Sequence, residues 1–382
     1  MDPGNPDLVE FIREKIRRDG PVSFAWFMEQ ALYHPQFGYY SSGRCQIGRK
    51  GDYFTNVSVG PLFGRMLAGQ FAEMWEVLSR PDNFTIVEQG AHHGDFAKDV
   101  LEAARERNPE FFAALQYSIV EPFPILEARQ RERLRDFHEK MTWRKSLEEL
   151  DPFCGVHFSN ELLDAMPVRL VQRVGENPWR EKLVAHSEAG FEFVTESITE
   201  ERLRERLPNS PATGPGAYET EINLAALDWL EGVSAKLRRG FILTIDYGFS
   251  RPEFFAAERT AGTLQSYAAH HPVLSPLHEV GQVDISAHVE WTSLVEVAEQ
   301  SGLTIVGFTD QHHFMTGMLS LIPPKENERR ALQTLIHPEF LGTRFQYLAL
   351  GRDVSASALT GFRFARDARK ALKLSQAIKN ES

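Results

Sequence analysis

Two acidic residues that close apolar runs are the chain's first chemical signal. Glu88 ends Phe84-Thr85-Ile86-Val87 and precedes Gln89-Gly90-Ala91-His92-His93-Gly94-Asp95, and Glu121 ends Tyr117-Ser118-Ile119-Val120. Gly90 and Gly94 let the backbone approach a ligand, and a following helix offers free N–H groups to an anion. A carboxylate two residues before Gly90 repels a pyrophosphate and suits an ammonium group. S-adenosylmethionine carries such an ammonium, a carboxylate for the helix N-terminus and a ribose diol. Glu121 is placed to accept both ribose hydroxyl protons, as the acid does in dinucleotide sites. The competing reading is a strand–glycine–helix junction made for packing alone. A dehydrogenase is opposed by Glu88 and by the missing third glycine of GxGxxG.

A second constellation follows Val156-His157-Phe158-Ser159, in Asn160-Glu161-Leu162-Leu163-Asp164-Ala165-Met166-Pro167. Asn160 offers an amide oxygen and two N–H donors to a substrate. Glu161 can grip a guanidinium through a bidentate charged pair, with Asp164 one helical turn on. The bland alternative makes Asn160 a helix cap and leaves Asp164 solvated. Three His pairs, at 92–93, 270–271 and 312–313, have no HExxH or Cys companions, so packing explains them better than a metal, and no metal is expected. Cys45 and Cys154 form no CxxC, which opposes a disulfide framework or a Cys-based zinc site.

The elements that must position these groups alternate from Asn83 onward. Strands at 84–88, 117–121, near 141–143, 156–159 and 241–245 are separated by helical stretches, and 303–308 and 345–350 can supply two more. That alternation predicts an α/β fold with a mainly parallel sheet covered by helices on both faces. Residues 168–174, 182–186 and 191–195 alternate like antiparallel hairpins inserted between the fourth and fifth strands. The first eighty residues read as helical, with Ser23 capping a helix through Tyr33 and no convincing strand. The tail from Gly361 holds six Lys/Arg against two Asp/Glu and reads as an exposed helix or disorder. The expected organisation is a helical region at 1–80, a core at 81–167 and 219–352, an insertion at 168–218 and a basic tail at 353–382.

Composition limits the partners. There are 42 Lys+Arg against 53 Asp+Glu in 382 residues, a net charge of −11, which argues against a broad nucleic-acid surface. No run approaches the ~20 apolar residues of a membrane helix, and residues 1–7 lack signal-peptide or transit-peptide character. A cytoplasmic setting is expected.

Several ordered blocks match one family. They are His34-Pro35-Gln36-Phe37-Gly38-Tyr39-Tyr40, Ile47-Gly48-Arg49-Lys50-Gly51-Asp52-Tyr53-Phe54-Thr55, Val87-Glu88-Gln89-Gly90, and residues 160–168. Ile245-Asp246-Tyr247-Gly248, Gly262-Thr263-Leu264-Gln265-Ser266-Tyr267 and Asp284-Ile285-Ser286-Ala287-His288-Val289 complete the set, across roughly residues 20 to 350. On these blocks the chain resembles the MidA-type methyltransferases, whose mitochondrial members assist assembly of respiratory complex I by methylating a protein arginine. The resemblance implies a Rossmann-like class I methyltransferase with a seven-stranded sheet, S-adenosylmethionine at the 88–94 turn, and an active site lined by the 48–55 loop and the 160–168 segment. It places Thr55 with Glu88, Gly90, Gly94, Glu121 and Asn160 at the cofactor, and Asp52 with Asn160, Glu161 and Asp164 at the chemistry. The family's Gly-x-Gly-x-Gly turn has His92 at its middle position, where a side chain either crowds the methionine end of the cofactor or points outward. The expected activity is methylation of an arginine-containing protein. The rivals are a small-molecule O- or N-methyltransferase and an assembly scaffold that has lost its cofactor.

Overall fold

The computed structural model describes residues 4–43, 56–208, 216–268, 271–273, 275–355 and 359–374. Seven strands form the continuous path of the eight-stranded main sheet: β1 (Phe84–Gln89), β2 (Leu115–Val120), β3 (Met141–Arg144), β4 (Phe153–Asn160), β5 (Leu237–Phe249), β6 (Thr304–Asp310) and β7 (Phe345–Arg352); the eighth, Val289–Glu290, pairs parallel with the end of β5. Their order across the sheet is β6-β7-β5-β4-β1-β2-β3. All neighbours are parallel except β7, which is antiparallel to both β5 and β6. Strand order reverses between β1 and β4, so ligands are expected outside the carboxyl ends of these two strands.

Apolar residues on both faces of the strands explain the two helical layers. Phe158 of β4 stacks on Phe96 at 4.3 Å and meets Phe71 edge-on, joining helices α3 (Leu62–Val77) and α4 (Asp95–Arg107) to one face. Val87, Ile242 and Leu348 face the other way, into a core completed by Trp229, Leu230 and Trp291 from helices Leu224–Lys236 and Trp291–Gln300. A third core lies outside the sheet. Phe24, Phe27 and Leu32 of helix α2 (Phe24–Tyr33) and Leu8 and Ile12 of helix α1 (Pro6–Asp19) pack with Leu170, Val184 and Ile285.

That third core revises the reading of the first eighty residues. Val22–Ser23 is a short strand, antiparallel to Arg180–Ser187, so the N-terminal helices and the antiparallel sheet of residues 169–222 are built together. Two residues carry no periodicity by which a strand could be seen. The start of the tail is revised as well. Leu359, Phe362 and Leu372 are buried, Gln70 and Glu73 accept the backbone N–H groups of Gly361 and Thr360, and Thr292 Oγ1 donates to the Leu372 carbonyl. A few apolar anchors among many cations dock this segment, and they are too sparse to register as a pattern.

At the amino ends of the central strands, Gly155 of β4 and Gly240 of β5 pair in register with φ of 146° and 133°. A Cβ on Gly155 would stand 2.1 Å from the Thr85 carbonyl oxygen, and one on Gly240 would stand 1.9 Å from that of Gly155. Gly155→Ala is expected to lower unfolding free energy by about 3 kcal/mol or more in urea titration. Gly216→Ala, at a site open to solvent, is the control and should change it by less than ~0.5 kcal/mol.

Candidate active site

The turn after β1 keeps the backbone shape of a glycine-rich loop despite its sequence. Gly90, His92 and Gly94 all have positive φ, at 83°, 46° and 81°. His92 therefore adopts the left-handed conformation that glycine would take at little cost. Its ring lies against His93, with centroids 3.8 Å apart, and His92 also borders the cavity beneath the turn. Arg129 donates to His93 Nε2 at 3.1 Å, which fixes that nitrogen as the acceptor.

This cavity, about 490 Å³, is bordered by Glu88, Gly90, Glu121, Asn160 and Glu161, a size suited to a nucleoside-bearing ligand. Glu88 is almost fully buried, and the Tyr117 hydroxyl donates to it at 2.7 Å. Burial pushes its carboxyl up to about 8, against the pull of that hydrogen bond. Glu121 accepts from the Phe123 N–H at 3.0 Å and from Gln130 Nε2 at 2.8 Å, and burial pushes it up to about 7. Gln130 is fully buried. It also donates to the His92 carbonyl at 2.8 Å and accepts from Trp143 Nε1, tying the ribose-side acid to the turn. Asp99 on α4 borders the same space and is pushed up to about 7, first by burial and then by Asp95. Neutral carboxyls around a cavity await a cation, whose arrival favours their ionised form.

On the other side of Glu161 lies a larger cleft of about 1610 Å³, and both Glu161 and Tyr40 border both spaces. The segment after β4 is held from below by Asp246, at the carboxyl end of β5. One oxygen of its carboxylate accepts the N–H groups of Leu162, Leu163 and Asp164 at 3.2, 2.8 and 3.2 Å, and the other accepts that of Tyr247 at 2.8 Å. Burial pushes Asp246 up to about 7, while these donors draw it down toward the carboxylate. Asn223 Nδ2 donates to the Leu163 carbonyl, the Ala287 N–H to that of Asp164, and the Tyr33 hydroxyl to that of Ala165. Glu161 is thereby set at φ 53°, an unfavourable conformation for a glutamate.

Glu161 accepts from Asn160 Nδ2 at 2.9 Å, and Asn160 Oδ1 accepts from Asn56 Nδ2 at 3.1 Å. Burial pushes Glu161 up to about 8, helped by Asp164. Asp164 is raised well above the usual range by burial, with Asp246 and Asp284 adding to the effect. The Tyr40 hydroxyl donates to Asp284 at 2.6 Å, and its ring stacks on Tyr33 with centroids 5.5 Å apart. Tyr247 faces the same acids, which together with burial raise its hydroxyl. Three carboxyls and three tyrosines therefore meet where the two cavities join.

Of the residues expected from sequence, Glu88, Gly90, Glu121, Asn160 and Glu161 border the cofactor-sized cavity, and Glu161 and Asp164 border the cleft. Gly94 lies at the far end of the turn, as the N-cap of α4. Asn160 caps no helix; its side chain joins Asn56 to Glu161. Asp52 and Thr55 lie outside the described residues. Sequence reasoning did not select Tyr33, Tyr40, Asn56, Asp99, Gln130, Asp246, Tyr247 or Asp284. For Asp246 a signal was present: it ends an apolar strand, the criterion that selected Asn160.

A parallel sheet with an antiparallel β7 beside β5, an acid at the end of β1 and another at the end of β2 define a class I S-adenosylmethionine-dependent methyltransferase. The residues present fit that cofactor: Glu88 for the ammonium, Glu121 for the ribose, and the 90–94 turn for the methionine segment between them. Residues 66–309, more than half of the chain, match the family described as S-adenosyl-L-methionine-dependent methyltransferase, and the chain belongs to that family. A protein from Burkholderia thailandensis, crystallised with S-adenosylhomocysteine, superposes with a TM-score of 0.86 at 30% identity, over 96% of this chain and 98% of that one. Among curated proteins, the protein arginine methyltransferase NDUFAF7 homolog of Drosophila melanogaster is 26% identical, covering 93% of this chain and 87% of its own length. The human protein arginine methyltransferase NDUFAF7 is 22% identical over 97% and 88%.

The raised carboxyls predict proton-linked cofactor binding. Burial pushes Glu88 up to about 8, and an ammonium placed against it would favour its ionised form, so binding is expected to release a proton. S-adenosylhomocysteine affinity should rise from pH 6 toward pH 8, with net proton release in calorimetry run in buffers of different ionisation enthalpy. Glu88→Gln should weaken binding about tenfold or more and reduce the release. Proton uptake on binding would contradict this assignment.

Proposed function

We propose that the protein transfers a methyl group to an arginine side chain of a polypeptide. The observation that carries this reading is the carboxyl cluster of Glu161, Asp164 and Asp284 at the junction of the two cavities, flanked by Tyr33, Tyr40 and Tyr247. A guanidinium is a poor nucleophile, because its lone pairs are delocalised and its pKa exceeds 12. Two carboxylates gripping two of its nitrogens localise the positive charge there and leave the third nitrogen free to attack. The tyrosine rings, packed on one another and on Phe123, His288 and Phe345, wall the cluster and exclude water. The bound cofactor supplies the electrophilic methyl group, and the protein's work is to align the attacking nitrogen with it. Glu161 borders both cavities, and Asn160 and Asn56 fix its carboxyl orientation. Asp164 and Asp284 hold the product cation until a proton leaves. The names of the NDUFAF7 proteins, which cover most of the chain at low identity, support the same acceptor. A cleft larger than the ~300–1,000 Å³ of small-molecule sites favours a polypeptide over a metabolite.

Glu161→Gln tests the reading with labelled cofactor and arginine peptides set against small amines and alcohols. Cofactor affinity should stay within about threefold while transfer to arginine falls by ~100-fold or more. The acid limb of kcat/KM provides a second readout. Because Glu161 is protonated below about 8 and the guanidinium is charged throughout, kcat/KM should rise as pH increases toward that value, and the limb should be lost in the variant. Normal turnover by Glu161→Gln would remove the guanidinium clamp.

A further inference from the structure

The larger cleft carries charge of both signs. Its more buried lining includes the acids Glu161, Asp164 and Asp284, whereas its exposed outer wall carries Arg344, Arg366, Lys370 and Lys373. Among the described residues, none of these four cations has a carboxylate within ion-pairing distance, although their neighbours do: Arg369 pairs with Glu299, and Arg251 with Glu290 and Glu296. Four acids share this lining, Glu253, Glu258, Glu339 and Asp367. Glu253 accepts from the Ser250 backbone and hydroxyl, and Asp367 accepts from the Lys370 N–H, bonds that orient these carboxylates and leave their charge in place. Arg259 adds a further cation, seated over the Phe249 ring at 4.2 Å.

These cations are held in place. Arg344 precedes β7 and acts electrostatically on Tyr247, which in turn faces Glu161 and Asp164. The other three ride on the docked segment 359–374, anchored by buried Leu372 and by the hydrogen bond from Thr292 to its carbonyl. A group of cations on fixed backbone, without ion-pair partners among the described residues and lining the same cleft as the acids proposed to receive a guanidinium, is complementary to carboxylates a few residues from the acceptor. We infer that the outer wall binds acidic residues flanking the methylated arginine, so that the preferred acceptor is an arginine within an acidic stretch of polypeptide. The inference rests on the arginine reading and adds a sequence preference to it.

The test uses the full chain saturated with S-adenosylhomocysteine and fluorescein-labelled peptides of equal length. Each peptide has a central Arg flanked by Asp/Glu, by Asn/Gln or by Lys. The acidic peptide should bind at least tenfold more tightly than the neutral one at 50 mM salt, and the ratio should shrink at 500 mM as screening shortens to a few ångströms. In the triple variant Arg366→Glu, Lys370→Glu, Lys373→Glu the preference should reverse toward Lys-flanked peptide, with calorimetric affinity for S-adenosylhomocysteine showing that the fold is retained. Arg344→Gln should lower the acidic-to-neutral ratio severalfold. Equal binding of the three wild-type peptides, or a variant that weakens all three alike, overturns the inference. Replacing the central Arg by Gln separates the two readings. Acid-selective binding indifferent to that change supports the basic wall while sinking the arginine acceptor.

Discussion

The site depends on one buried carboxylate, Asp246, and the four backbone N–H groups it receives. A turn that leaves β4 would bury N–H donors without partners, and each would cost ~1–3 kcal/mol. Asp246 satisfies three of them with one oxygen and so fixes the direction in which Glu161 and Asp164 project. It also accepts from Tyr247, which places the ring facing those acids under the same control. The left-handed backbone at Glu161 persists because the turn is held on all sides, by Asp246, Asn223, Tyr33 and Ala287. Strain at a carboxylate bordering both cavities is the local cost of aiming it.

Electrostatics then select what the site accepts. Glu88, Glu121, Glu161 and Asp164 are all raised, with burial the largest cause each time. Packing ionised carboxylates this closely without counter-charge would be costly, so the free protein relieves the repulsion by keeping protons. A ligand bearing an ammonium or guanidinium replaces those protons with fixed positive charge, and a neutral or anionic ligand does not. One arrangement thus favours positive charge in both spaces: the cofactor's ammonium in one cavity and, on the proposed reading, a cationic side chain in the other.

The alternating strands and helices were legible from residue 83 onward because buried parallel strands are short apolar runs bounded by helix signals. The cofactor acids were legible for the same reason, since each closes such a run. What escaped sequence reasoning depends on contacts between distant segments. Tyr40 meets Asp284 across 244 residues and Asn56 meets Asn160 across 104, and no local periodicity reports such pairs. Gln130 looks like one polar residue on an ordinary helix, yet three hydrogen bonds make it the link between Glu121, the glycine turn and Trp143. The two-residue strand Val22–Ser23 and the docked tail were missed because a few anchors in polar sequence leave no pattern.

The acceptor half of the site is built from a different core than the cofactor half. Glu88 and Glu121 end strands of the main sheet, whereas Tyr33 and Tyr40 come from the N-terminal region and Asp284 from the strand Asp284–Ser286, around the core shared with residues 169–222. The turn after β4 is the piece both halves grip: Asp246 from the sheet side, Tyr33 from the other. Substitutions in the third core can therefore alter how the acceptor is presented while leaving the glycine turn and its acids undisturbed. Changes at Asp246 act on the same carboxyls from the sheet side. The left-handed backbone of His92 belongs to the sheet side, where Gln130 holds its carbonyl, on a different segment from the turn that Asp246 sets.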